Sequence, residues 1–329
     1  MSAPRQRAPA AGATGASADS PAAALRANGR RGILAGGKVR TPLGDAPAAW
    51  LLLAPLLLLF AISVVYPLLE TIRLSFYDIR GLGSPKLVGF ANYVKLFEDE
   101  NFRTALVATL KWTLASTAAS VAIGWGLAML CSLAPDRTLV FRVMIFAAYG
   151  VSEAVSGFMW LGIYRADAGL LNTVLGGLGL GAWQNPWLGD PTTALWAVIV
   201  AYVWTQVGLP LMTTFASIRA IPRNLFEAAY IDGAKPLSML RHLVMPLSLP
   251  GVRVAIFINL LSSLKAFDLI FVLTSGGPVR STETVGYFMY RESMQNFKLG
   301  YGAASTVILL LGVLLVSVPV IVQRTGSAR

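Results

Sequence analysis

The chain has 329 residues, 55% hydrophobic and 13% charged, with a mean hydropathy of +0.63. Soluble domains carry about 25% charged residues, so a soluble globular enzyme is excluded and most of the chain belongs in lipid. The net charge is +11 and the single cysteine is Cys131, which leaves no disulfide framework within the chain. A membrane protein's bias of basic residues toward the cytoplasm explains the positive charge. No nucleic-acid partner is expected.

Residues 1–45 are rich in Ala, Gly, Pro, Ser and Arg and show no apolar periodicity. They predict a disordered basic cytoplasmic tail; in its first 40 positions only Asp19 opposes Arg5, Arg7, Arg26, Arg30, Arg31, Lys38 and Arg40. No short apolar core follows Arg5 and Arg7, so no signal peptide is expected.

A bilayer core takes about 20 apolar residues per helix. Six stretches meet that length, at about 47–70, 104–131, 140–164, 192–216, 250–273 and 301–323. Residues 46–324 therefore predict an all-α integral membrane domain of six transmembrane helices, and 325–329 a short cytoplasmic end. Basic residues favour the segments 1–46, 132–139, 217–249 and 324–329, which puts both termini in the cytoplasm. Trp183 and Trp187, between the third and fourth spans, suit an interfacial belt.

The segment 217–249 is polar and lies between two spans. Ile221-Pro222 opens a short helix to Ile231, Gly233 suits a left-handed C-cap, and Pro236 starts a second helix. On this reading, Pro246 and Pro250 end that helix before the fifth span. A wet helix-turn-helix gains nothing in lipid, so it is presented to a partner. Ala228 and Ala229 are small enough to let another surface approach.

The run Glu227-Ala228-Ala229-Tyr230-Ile231-Asp232-Gly233-Ala234, followed by Met245-Pro246-Leu247-Ser248-Leu249-Pro250, resembles the signature loop of ABC importer permeases. Val88-Gly89-Phe90-Ala91-Asn92-Tyr93, Gly169-Leu170-Leu171-Asn172 and Trp187-Leu188-Gly189-Asp190-Pro191 are similar to outer-loop motifs of carbohydrate-uptake permeases. So are the run from Phe267 to Pro278, Thr282-Glu283-Thr284, and Tyr290-Arg291. The resemblance runs from about Trp50 to the end of the sixth span. It is to permeases of the maltose and glycerol-phosphate type, without the large outer domain of the maltose permease.

The resemblance implies a type I ABC importer permease fold in the cell inner (plasma) membrane. It implies a second permease subunit, two ATPase subunits that bind ATP and magnesium, an extracytoplasmic solute-binding protein and a sugar substrate. No cofactor is then expected in this chain. Coupling to the ATPase would fall to Glu227, Ala228, Ala229, Asp232, Gly233 and Ala234.

In the fifth span Asn259, Ser262, Ser263 and Ala266 share one helix face. The resemblance implies that they line the sugar path together with Thr205 and Gln206, although a serine replaces the family's aromatic residue. Helix–helix hydrogen bonding is the other reading. Glu153, an ionisable group in the third span, faces a hydrated path or pairs with a partner's cation. Lys265 and Asp268 are expected to pair near the outer interface.

No Gly-x-x-x-x-Gly-Lys-Ser/Thr phosphate loop is present, so no ATP hydrolysis by this chain is expected. No metal-ligand spacing or nucleophile turn appears, and the lone His242 reads as structural. An ion-coupled secondary transporter is the competing function. It would depend on Glu153 and Asp268 and would leave the helix-turn-helix without a purpose.

Overall fold

The computed structural model describes residues 46–81 and 83–326. The expected tail, 1–45, and residues 327–329 lie outside them. Among the described residues the fold is all-α apart from one two-stranded ribbon, β1 (Tyr77–Asp78) antiparallel to β2 (Lys86–Leu87).

In chain order α1 is Ala46–Phe60 and α2 Tyr66–Leu74, joined by a π-helical turn at Ala61–Val65. The helices α3 (Ala91–Glu98) and α4 (Glu100–Ser132) follow. Next come α5 (Leu139–Tyr149), α6 (Glu153–Tyr164), α7 (Leu170–Gly177), α8 (Ala194–Gln206) and α9 (Gly208–Arg219). The helix-turn-helix contributes α10 (Arg223–Ile231) and α11 (Pro236–Met239). The chain ends with α12 (Met245–Leu264), α13 (Asp268–Leu273), α14 (Val285–Tyr290) and α15 (Leu299–Gly326).

Among the described residues four continuous helices are long and apolar enough to cross a bilayer: Trp50–Leu74, Glu100–Ser132, Pro236–Leu264 and Leu299–Ser317. Two bent pairs complete six spans. The pair α5 and α6 turns by 100°, and α8 and α9 by 41°. The third expected span is thus broken at 150–152, where Ser152 adopts ψ 139°. The fourth bends at Val207, three residues before Pro210, whose ring removes a helical hydrogen bond.

The expectation that Pro246 and Pro250 end the second short helix is corrected. The helix runs unbroken from Pro236 to Leu264. Pro246 cannot donate to the carbonyl of His242, and a π turn at Leu240–Val244 takes up the mismatch. The same device occurs in the first span, where the turn Ala61–Val65 precedes Pro67. The fifth span also ends earlier than expected. It stops at Leu264, and α13 begins after the non-helical Phe267 (φ −135°, ψ −52°).

Within residues 64–329, α4 is the central post. Its buried face carries Thr109, Thr113, Ser116, Thr117 and Ser120 against α8, α9 and α12. Two indoles clamp α12 to it. Trp112 Nε1 donates to the Ser263 carbonyl at 3.1 Å, and Trp125 Nε1 to Ser248 Oγ at 3.1 Å. Small residues let the backbones close in, as is usual in membrane bundles. A Cβ on Gly124 would lie 2.6 Å from Pro210 Cβ, and one on Gly251 2.6 Å from the Thr213 carbonyl.

Candidate functional site

The helix-turn-helix is rooted at one end of the bundle. Phe226 of α10 and Leu240 pack on a buried cluster of Met129, Cys131, Phe215, Ile218, Ile221 and Val244. Leu240 lies in the π turn that carries the chain into α12. The face of α10 away from Phe226 is bare: Glu227, Ala228 and Ile231 are exposed, Ile231 at 84%, and Tyr230 and Asp232 at the C-terminal end of the helix are exposed too. Leu237 of α11 adds a further exposed apolar side chain. Glu227 and Asp232 have no side-chain partner among the described residues.

The C-terminus of α10 is locked. Gly233 N–H donates to the Tyr230 carbonyl at 3.0 Å, and Ala234 N–H to the Ala229 carbonyl at 2.9 Å. Those two bonds make a complete Schellman motif, with Gly233 at φ +74° in the left-handed position. Nothing lies within 4 Å of a Cβ built there, so the requirement for glycine is the dihedral alone. The sequence reasoning placed this turn correctly. It passed over Tyr230, Ile231 and Leu237, whose signal was apolar side chains in an otherwise polar segment.

The other named residues lie within the bundle. Asn259 and Ser263 are buried on the face of α12 toward α4, and Ala266 is buried just beyond its end. Ser262 is half-buried. Asn259 Nδ2 donates back to the Ala255 carbonyl at 3.0 Å, while its Oδ1 is buried without a partner. Ser263 Oγ bonds the Leu260 carbonyl at 3.0 Å and faces Thr117 Oγ1 at 3.5 Å.

Thr205 and Gln206 are buried at the end of α8. Thr205 Oγ1 donates to the Tyr202 carbonyl, and Gln206 Oε1 is a second unpartnered buried oxygen. Trp112 connects the two groups, donating to Ser263 and packing on the Tyr202 ring with centroids 4.8 Å apart.

Glu153 is the first residue of α6, directly after the 100° bend, and is half-buried. Beyond it, Gly157 brings α6 against α13, where an added Cβ would meet Val272 Cγ1 at 2.8 Å. The expected Lys265–Asp268 pair is not formed; both residues are exposed, and among the described residues neither belongs to an ion pair. The helix ends between them, so the i, i+3 approach is lost. Among the described residues no three His, Cys, Asp or Glu side chains gather as a metal site. His242 is exposed, with Nδ1 3.0 Å from the Ser238 carbonyl.

The loop motifs act as anchors. Asn92 Nδ2 donates to the carbonyls of Ser75 and Tyr77, both at 2.9 Å, and so holds the ribbon on α3. Asn172 Oδ1 accepts the indole N–H of Trp187 at 2.8 Å, linking two motifs 15 residues apart. Trp187 is therefore a half-buried anchor, while Trp183 is exposed. Glu283 is buried and accepts from Arg291 Nη1, with Arg280 Nε at 3.9 Å. Burial raises its carboxyl above the usual range, against the lowering effect of Arg291 and Arg280.

The comparisons with known proteins place this architecture. The family described as "Binding-protein-dependent transport system inner membrane component" matches residues 51–325. The chain belongs to that family.

A probable ABC transporter permease protein of Pyrococcus horikoshii is 35% identical, over 84% of this chain and 94% of its own length. The sulfoquinovosyl glycerol transport system permease protein of Agrobacterium fabrum is 29% identical, over 81% and 87% respectively. Among solved structures, a chain of the bacterial alginate ABC transporter, in complex with an alginate pentasaccharide-bound periplasmic protein, superimposes with a TM-score of 0.72. It is 20% identical and covers 82% of this chain and 91% of the other. The protein is thus a multi-pass ABC importer permease with the type I fold. The ion-coupled transporter reading finds no support.

Proposed function

We propose that the permease carries a sugar or sugar derivative inward, delivered by an extracytoplasmic solute-binding protein and driven by two ATPase subunits on the cytoplasmic side. The observation that carries the proposal is the geometry of α10. Its free face offers Glu227, Ala228 and Ile231, while Phe226 ties its other face to the cluster joining α4, α9 and the start of the fifth span. A push on α10 therefore reaches three membrane helices at once. Ala228 allows close approach, Glu227 and Asp232 supply charge to a partner surface, and the Schellman lock keeps the helix stiff enough to transmit force.

On this reading both termini are cytoplasmic, and ATP and magnesium are bound by the partners alone. A second permease completes the pathway, and residues 46–324 form one translocation domain after a cytoplasmic tail. A carbohydrate is favoured because related permeases are named for sulfoquinovosyl glycerol and for trehalose and maltose. Asn259, Ser263, Thr205 and Gln206 supply the amide and hydroxyl groups that such a solute needs, and Asn259 Oδ1 and Gln206 Oε1 are unpartnered. Glu153, half-buried at a helix break, supplies a carboxylate that can accept from a solute hydroxyl. Glu227→Lys in the assembled transporter tests the coupling step. ATP turnover should persist while solute uptake is lost; unchanged uptake would refute the assigned role.

A further inference from the structure

The span α4 is longer than a bilayer requires. Its 33 residues extend about 50 Å, whereas the hydrocarbon core is about 30 Å thick. Its last turn, ending at Ser132, lies by the cluster that roots the helix-turn-helix. Counting about 20 residues back from there puts the opposite edge of the hydrocarbon beside Lys111 and Trp112. Lys111 is therefore an exposed cation at headgroup depth.

Lys111 does not stand alone. It lines a cavity of about 630 Å³ between α4 and α8, together with Arg103, Val107, Leu195 and Trp196, and with Glu100 at its upper lip. Neither Lys111 nor Arg103 has a carboxylate partner among the described residues. Arg103 spends only its Nε–H, on the Phe97 carbonyl at 2.7 Å. Its terminal nitrogens remain free for an anion. Toward the membrane centre, Leu114 on α4 and Val200 on α8, three and four residues beyond Lys111 and Trp196, continue the same helix faces with exposed apolar side chains.

Two unpaired cations above an apolar groove match the head and tail of an anionic amphiphile. We propose that this cavity binds an anionic phospholipid of the outer leaflet. Its phosphodiester lies between Lys111 and Arg103, and one acyl chain runs along Leu114 and Val200. The aliphatic stem of Lys111 packs on the groove while its ammonium reaches the phosphate. Glu100 disfavours a second negative charge at the lip, so the fit is to a monoanionic headgroup. The leaflet follows from the orientation given under Proposed function; the depth and the charge do not.

The test is native mass spectrometry of the purified transporter with added phosphatidylglycerol or phosphatidylcholine. Each cation near the surface contributes about fivefold in binding. The wild type should favour phosphatidylglycerol by at least that factor. Lys111→Ala should reduce the preference about fivefold and Lys111→Arg should keep it. Equal binding of the two lipids by the wild type, or an undiminished preference in the Arg103→Ala, Lys111→Ala double variant, overturns the proposal. A photo-crosslinker at Trp196 should capture lipid, and capture of a polypeptide there overturns it as well. None of these readouts involves transport, so loss of coupling with lipid preference intact counts against the importer reading alone. Labelling of Lys111→Cys by a membrane-impermeant thiol reagent should succeed only from outside the cell; labelling only from inside refutes the leaflet.

Discussion

The backbone N–H of Ala234 reaches back across Gly233 to the carbonyl of Ala229 at 2.9 Å. That bond holds the exposed helix α10 at a fixed angle to the chain entering the fifth span. A side chain at Gly233, with φ +74°, costs about 1–2 kcal/mol in the left-handed region. Gly233→Ala should therefore leave the permease in the membrane at normal abundance and lower solute uptake. Gly233→Asn, which tolerates that region better, should retain more uptake than Gly233→Ala. Uptake assays on the two variants, normalised to membrane content, check the order.

Phe226 joins α10 to the bundle. Replacing this half-buried ring with alanine removes part of the roughly 3–5 kcal/mol attached to a fully buried phenylalanine. Phe226→Ala should lower the thermal unfolding midpoint and lower uptake further than the stability loss explains, because the lever is loosened at its root. Phe226→Leu should restore most of both. Thermal unfolding followed by tryptophan fluorescence, with parallel uptake assays, separates the two effects.

Trp112 serves α12 through one hydrogen bond and α8 through ring packing on Tyr202. Trp112→Phe keeps a ring and removes the donor to the Ser263 carbonyl. The cost is that of one buried hydrogen bond, about 1 kcal/mol. Trp112→Ala also opens a cavity and should cost about 3–5 kcal/mol. Melting curves of the three proteins give the ranking; equal stability of the Phe and Ala variants would contradict it.

Asp99 gives a pH signature. Burial works to raise its carboxyl, but the Tyr301 hydroxyl and the amides of Asn101 and Phe102 outweigh it and hold it below the usual range. A depressed folded-state value contributes stability above the ordinary carboxylate range, about pH 4, and loses it as pH falls through the folded-state value. The junction of α4 with α15 should weaken on acidification below about pH 4, and Asp99→Asn should be less sensitive there. Hydrogen exchange at residues 99–103 between pH 3 and pH 6 reads the difference.

The six apolar stretches and the wet segment between the fourth and fifth of them were legible because hydropathy and length are local properties. Gly233 was legible for the same reason, since few other residues take its dihedral without strain. The direction of the chain inside a span was not. The 100° bend after Tyr149 falls inside a stretch apolar enough to be one span, and the break at Phe267 is flanked by Lys265 and Asp268, which read equally well as an ion pair on a continuous helix. Pro246 was misjudged because a proline ends a helix unless the preceding turn widens, and a π turn has no composition of its own. Asn92 and Asn172 stood inside recognisable motifs, but their partner carbonyls and indole come from other segments.

The central claim is that α10 is a lever seated in an external ATPase. Tyr230, 77% exposed at the C-terminal turn of α10, is the position to probe. Tyr230→Cys should form a disulfide with cysteines introduced into the cleft of the co-purifying ATPase, and the yield should change when ATP is added. No co-purifying ATPase, or a Tyr230→Cys that pairs only within its own chain whatever the nucleotide, would contradict the account.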